Sequence, residues 1–144
     1  MARTRPGFVI VLHSHLPWVM GCGRWPFGEE WIYEIAWDCY IPLIRSFRNL
    51  VRDGIPANIT FSVTPVLAQQ LASDSFKAGL VEYLKDRRRR VAADREEFLE
   101  AGETGLAKLT FWMDDQIGQA PRAIKGKDRT MPRALARPDK EGGV

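Results

Sequence analysis

The apolar positions of this chain fall into runs whose spacing changes from one to the next. Phe8, Val9, Ile10, Val11 and Leu12 are consecutive and partly β-branched, and Pro17 closes the segment. Residues 7–18 therefore predict a strand buried on both faces. Ile32, Ile35, Ala36, Cys39, Leu43, Ile44, Phe47, Leu50 and Val51 then recur at helical spacing behind Glu29 and Glu30, acids that the first turn of a helix favours. One face of this long helix is expected to be buried, with a kink at Pro42 and a stop at Gly54 and Pro56. Over residues 57–63, Ile59, Phe61 and Val63 alternate with Asn58, Thr60 and Ser62, the period of a second strand. Thr64 caps, and Pro65 opens, a short helix to about Ala72. Strand, helix, strand, helix is the unit from which parallel sheets are made, so the pattern predicts an α/β fold.

A further helical passage begins at Ser73 and reaches about Ala101, with Phe76, Leu80, Leu84, Val91 and Phe98 roughly on one face. Four consecutive cations, Arg87, Arg88, Arg89 and Arg90, interrupt it. Consecutive side chains fan out around a helix, and Asp94, Glu96, Glu97 and Glu100 follow. The run therefore reads as a solvated surface rather than a phosphate-binding patch. Gly102 and Gly105 mark a break, and residues 106–112 resume as a short helix. From Gln116 the periodicity fades, and Pro121, Pro132 and Pro138 appear among Arg, Lys and Gly. Residues 1–115 are thus expected to form one folded unit, and residues 116–144 a basic tail with too little apolar surface to offset its ordering entropy.

Composition narrows the function classes. The chain has 144 residues, 45% hydrophobic and 27% charged, and no apolar run nears the ~20 residues of a membrane span. No small-residue cleavage site follows the first apolar run, so neither a signal peptide nor a membrane partner is expected, and the expected location is cytoplasmic. Cys22 and Cys39 are too few for a zinc site or a disulfide framework. The formal net charge of +3 suggests nucleic acid until it is divided: residues 1–115 hold 14 Lys+Arg against 15 Asp+Glu, and residues 116–144 hold 7 against 3. The basicity belongs to the tail, and no nucleic-acid partner is expected.

Candidate chemistry concentrates at the end of the first strand, where His13 and His15 are the only histidines of the protein. Alternation along a strand points both imidazoles to one side. Three readings stay open: a divalent-metal site needing a carboxylate to complete it, two histidines satisfied by local hydrogen bonds, and polar contacts for a substrate. The loop that follows, rich in Gly21, Gly23, Pro26 and Gly28, brings Trp18, Trp25, Phe27 and Trp31 close in sequence to the pair; Trp37, on the helix beyond, reads as core. Aromatic faces beside hydrogen-bonding groups suit a sugar, whose C–H faces are apolar and whose hydroxyls need partners. A carbohydrate site is the leading reading, and no cofactor is expected.

Several stretches carry a resemblance to a known family: Val11-Leu12-His13-Ser14-His15-Leu16-Pro17-Trp18-Val19, then Gly23-Arg24-Trp25-Pro26-Phe27-Gly28-Glu29-Glu30-Trp31, then Tyr40-Ile41-Pro42-Leu43, and later Thr64-Pro65-Val66-Leu67-Ala68-Gln69-Gln70-Leu71. Over roughly residues 7–112 the chain closely resembles the N-terminal portion of the 1,4-α-glucan branching enzymes of glycoside hydrolase family 57. The resemblance implies the first part of a (β/α)7 barrel, a retaining mechanism and an α-glucan substrate. It also implies that His13 and His15 line the cleft and that Trp25 and Trp31 form walls for the glucan chain. The alternatives are an α-amylase or a 4-α-glucanotransferase of the same family, or a non-catalytic glucan-binding or structural remnant.

Retaining chemistry needs two carboxyl groups ~5 Å apart, one a nucleophile and one an acid/base. In this family a Glu and an Asp supply them from strands downstream of the region represented here, so no catalytic residue is assigned within this chain. Glu29, Glu30, Asp114 and Asp115 do not match those strands. The expectation is a truncated or frame-shifted branching enzyme, inactive alone, whose tail lies outside the family pattern.

Overall fold

In a computed structural model of the chain, residues 7–56 and 58–124 are described, the side chains up to residue 120. Two strands, β1 (Ile10–Ser14) and β2 (Ile59–Val63), pair in parallel, with Ile10 opposite Ile59, His13 opposite Ser62 and Ser14 opposite Val63. Between them run α1 (Glu29–Ile35), a π-helical turn (Ala36–Tyr40) and α2 (Ile41–Arg52). After β2 come α3 (Pro65–Ala72), α4 (Asp74–Glu100) and α5 (Thr104–Ile124). The described residues are thus α/β but mostly helical, with two strands among them.

The core is helical. Ile32, Tyr33, Ala36, Tyr40, Ile41 and Ile44 face Leu67 and Leu71 of α3, then Phe76, Leu80, Tyr83, Leu84 and Val91 of α4 and Ile117 and Ala120 of α5. Burying one such aliphatic side chain contributes about 1.5–3 kcal/mol, so this cluster is the main support of the fold. Leu16 and Val19, just beyond β1, join it and tie the strand's end to the helices; Trp37 packs against it, half-buried.

Several expectations change. The apolar run before His13 is not buried on both faces: Phe8 is 88% and Val9 74% exposed, and Ile10 and Val11 are exposed as well. β1 has β2 on one edge and no described strand on the other, and among the described residues none buries the outward side chains of that run. The helix before Gly54 is interrupted over Ala36–Tyr40, ahead of the kink expected at Pro42. Pro42, lacking an N–H, sits in the first turn of α2, and the π-helical turn ends just before it at Tyr40. That rewinding exposes Cys39, and Val51 near the end of the helix is also exposed.

Thr64 precedes α3 in an extended conformation, but its hydroxyl makes no capping bond; it is buried without a hydrogen-bond partner. Ser73 does cap α4, accepting from the Phe76 N–H at 3.2 Å. Gly102, at φ 74, ends α4 in a left-handed turn with the Glu103 N–H on the Phe98 carbonyl at 2.8 Å. Helix α5 extends beyond residues 106–112 at both ends. The loosening expected from Gln116 does not begin there, because Ile117 and Ala120 still meet the core and the helix runs to Ile124. The rest of the expected tail, residues 125–144, lies outside the described residues.

Candidate functional site

In the described sheet both strands end on the same rim, because they are parallel, and the two histidines occupy it. The imidazoles of His13 and His15 stack with centroids 5.5 Å apart and planes 28° from parallel, as alternation requires of side chains two apart. Both are exposed. His13 Nδ1 lies 3.2 Å from the Ser62 hydroxyl of the facing strand, which leaves Nε2 free for another partner. Ser14, between them, turns to the opposite face and is hydrogen-bonded through its hydroxyl to that of Tyr40.

The loop from Pro17 to Gly28 is irregular yet held at named points. Gln70, on α3 and fully buried, accepts the Val19 N–H at 2.8 Å and the Met20 N–H at 3.4 Å, while its Nε2 donates to the Pro17 carbonyl at 3.0 Å. One amide thereby satisfies three backbone groups that would otherwise be desolvated without partners. Glu29 accepts the Gly21 N–H at 2.8 Å and the Tyr33 hydroxyl at 3.0 Å. Burial, and then Glu29, push the Tyr33 phenol well above its usual range. Gly21 and Gly23 take positive φ, and the Glu29 N–H returns to the Gly23 carbonyl at 2.8 Å. A Cβ on Gly28 would strike the Gly23 carbonyl, so that position admits only glycine.

This anchoring presents the aromatic residues outward. Phe27 and Trp31 meet edge to face at 5.9 Å, and Trp18 donates its indole N–H to the Met20 carbonyl at 2.9 Å. Trp25, 76% exposed, lines a cleft of about 540 Å³ with Arg24, Glu30, Glu34, Tyr83, Asp86, Arg87 and Arg90. The charges pair across it. Arg24 bonds to Glu30 and lies 3.4 Å from Asp86, Arg90 reaches Asp86 at 2.9 Å, and Arg87 lies 3.4 Å from Glu34 and donates to the Tyr83 hydroxyl at 2.9 Å. Hydrogen bonding from Arg89, helped by Arg90, holds the Asp86 carboxyl below its ordinary range. Burial pushes the Tyr83 phenol up despite Arg87 beside it.

The four-arginine run is neutralised, but by Asp86, Glu34 and Asp114 rather than the acids expected: Arg88 pairs with Asp114 at 2.7 Å and Arg89 with Asp86 at 2.7 Å. A helix brings residues three and four apart together, which pairs Arg89 and Arg90 with Asp86; of the acids expected only Asp94 stands at that spacing, from Arg90, and Arg90 turns back to Asp86 instead.

The structure therefore joins His13 to His15 and Phe27 to Trp31, and gives Trp25 a paired-charge cleft whose lining does not include the histidines. Among the described residues no group of three or more His, Cys, Asp or Glu side chains gathers as a metal ion would need. Nor is any described helix long and apolar enough to cross a membrane. Sequence reasoning missed Gln70 and Tyr40. The signal for the first was a polar residue on the apolar stripe of α3, between Leu67 and Leu71; for the second, an aromatic hydroxyl one turn after Ala36 on a buried face.

No family model matches the chain. It is 41% identical over 104 residues to the 1,4-α-glucan branching enzyme of Thermococcus kodakarensis, covering 72% of this chain and 15% of that protein. It is 45% identical over 67 residues to a protein of Mycobacterium tuberculosis named a probable 1,4-α-glucan branching enzyme, covering 46% of this chain and 13% of that one. The crystal structure of the GH57-type branching enzyme from the hyperthermophilic archaeon Pyrococcus horikoshii superposes with a TM-score of 0.85 at 30% identity, over 94% of this chain and 25% of that one. That coverage is more of the chain than residues 7–112. The chain thus spans about an eighth to a quarter of the length of these relatives. Over that span, sequence and fold agree: this chain belongs with the branching enzymes of glycoside hydrolase family 57.

Proposed function

We propose that this chain is the substrate-lining first portion of an α-glucan branching enzyme, an enzyme that cuts an α-1,4 bond and rejoins the glucan segment to a 6-hydroxyl. The observation that carries the reading is the combination of 41% identity to a named branching enzyme with the TM-score of 0.85 to a solved one. On this reading β1 and β2 are the opening strands of a (β/α)7 barrel. The rim with His13 and His15 then lies at the carboxyl end of the sheet, where barrels of this kind do their chemistry.

His13 and His15 offer hydrogen bonds to a glucosyl unit, and Trp25 and Trp31 offer apolar faces to the chain of sugars. The carboxylate pair for the retaining steps belongs to the part of the relatives that this chain does not span. The described residues up to 115, with the helix continuing to Ile124, form one unit, and residues beyond are assigned no part in the site. The three relatives all carry branching-enzyme names, so no observation favours the α-amylase or 4-α-glucanotransferase alternative.

Titrating the purified 144-residue chain with maltoheptaose while following tryptophan emission tests the substrate-lining part. A saturable change that shrinks in Trp25→Ala is expected; a wild-type chain that gives no change overturns it. Incubation of the same chain with amylose is expected to create no α-1,6 linkages, and detectable branching would place the reactive carboxylates inside this chain.

A further inference from the structure

We infer that Tyr40 is a positioning residue for the His13–His15 pair, acting through Ser14. The inference rests on the substrate-lining role of the histidines for its functional meaning, and on geometry for the rest. Ser14 is the last residue of β1 and His15 lies beyond the ladder, so no strand pairing fixes His15. His15 follows directly on Ser14, and two bonds hold Ser14, one through its carbonyl and one through its side chain. The Thr64 N–H donates to the Ser14 carbonyl at 3.2 Å from the side of β2, and the Tyr40 hydroxyl is hydrogen-bonded to the Ser14 hydroxyl from the core.

Tyr40 suits this role because it is packed on all sides. Its ring is 3% exposed and packed in the central cluster, on the last residue of the π-helical turn. Such a turn re-spaces the side chains that follow an α-helical stretch, and interruptions of this kind recur where a side chain must be re-aimed toward a site. Here the re-aimed side chain meets the one residue between the two histidines. On the other face, His13 is steadied by Ser62 at 3.2 Å, and the rings settle into their 5.5 Å stack. A rim with one fixed and one free imidazole would offer a sugar hydroxyl only one reliable partner; the Tyr40–Ser14 bond supplies the second.

The test uses the full 144-residue chain, with its imidazole protons observed by NMR. The wild type is expected to show an inter-ring Overhauser effect between His13 and His15 and ring-current shifts from their stacking. Tyr40→Phe keeps the ring and removes the hydroxyl; it is expected to weaken that effect and move both imidazole signals toward those of free histidine, with the amide signals of α4 and α5 in place. Ser14→Ala removes the other partner without touching the core, and is expected to do the same. In both variants maltoheptaose affinity should fall roughly fivefold, the size of a neutral hydrogen bond's net contribution. Imidazole signals unchanged in either folded variant overturn the inference; should Tyr40→Phe fail to fold, Ser14→Ala decides alone. A wild-type chain that stacks its imidazoles but binds no maltoheptaose overturns the substrate-lining reading and leaves the positioning result standing.

Discussion

The residues that most define this chain's chemistry at rest are its tyrosines, of which it has three. Tyr33, Tyr40 and Tyr83 are all buried among the helices, and in each case burial is the first cause of a phenol held above its ordinary value. Glu29 adds to the rise at Tyr33, whereas the Ser14 hydrogen bond and Arg87 oppose it at Tyr40 and Tyr83. The sign of the linkage follows. A group whose folded value lies above its unfolded one leaves stability untouched below the unfolded value, about 10 for a phenol, and lowers it as pH rises past that point. Stability is therefore expected to fall on the alkaline side of about pH 10. Ionisation followed at 295 nm should lag in the native chain behind the same chain in urea; coincident curves would mean that the phenols are not buried. Tyr33→Phe should reduce the alkaline loss, because it removes the phenol with the largest rise.

At the scale of elements, two glycines inside helices make opposite predictions from one rule. Replacing a mid-helix glycine by alanine ordinarily adds about 1 kcal/mol of stability. Gly118 in α5 has open space where a Cβ would stand, so Gly118→Ala should raise the melting temperature. Gly79 in α4 is where the Tyr33 hydroxyl lies, so a methyl there collides with a ring packed between Phe76 and Tyr83. Gly79→Ala should lower the melting temperature despite the propensity gain, and a rise would show that α1 and α4 do not approach this closely. The elements themselves were largely legible in the chain. The alternation of Ile59, Phe61 and Val63 marks β2, Pro65 starts α3 and Ser73 caps α4 where the sequence says. What could not be read depended on neighbours. An apolar run does not state whether anything covers it, so the exposure of Phe8 and Val9 was hidden. Four arginines do not name their acids. The last helix looked short because Gly118 and Pro121 blur its period, although Ile117 and Ala120 keep facing the core. At the site, the i, i+2 spacing announced the histidine pair, whereas Gln70 and Tyr40 sit at buried helical positions whose period does not name their partners in the loop and the strand.

For the molecule as a whole, the balance between sheet and helices decides behaviour. Two strands alone are marginal in water, and these two present an uncovered apolar run, while the helices share one continuous core. Hydrogen exchange should therefore be slowest in α4 and the core-facing part of α5 and markedly faster in β1 and β2. Equal protection of strand and helix in dilute solution would mean that the run at Phe8 and Val9 is covered after all. The same division shows in how the aromatic loop is held. Gln70 and Glu29 grip it through the backbone at Pro17, Val19, Met20 and Gly21, and the Glu29 and Glu30 amides close it on the carbonyls of Gly23 and Arg24. None of these bonds uses the side chain of Trp25 or Phe27. Trp25 is thus carried on a mount that closes without it, so exchanging that one indole carries little toll on folding, whereas Phe27, at φ 59 and edge to face with Trp31, is bound to its place.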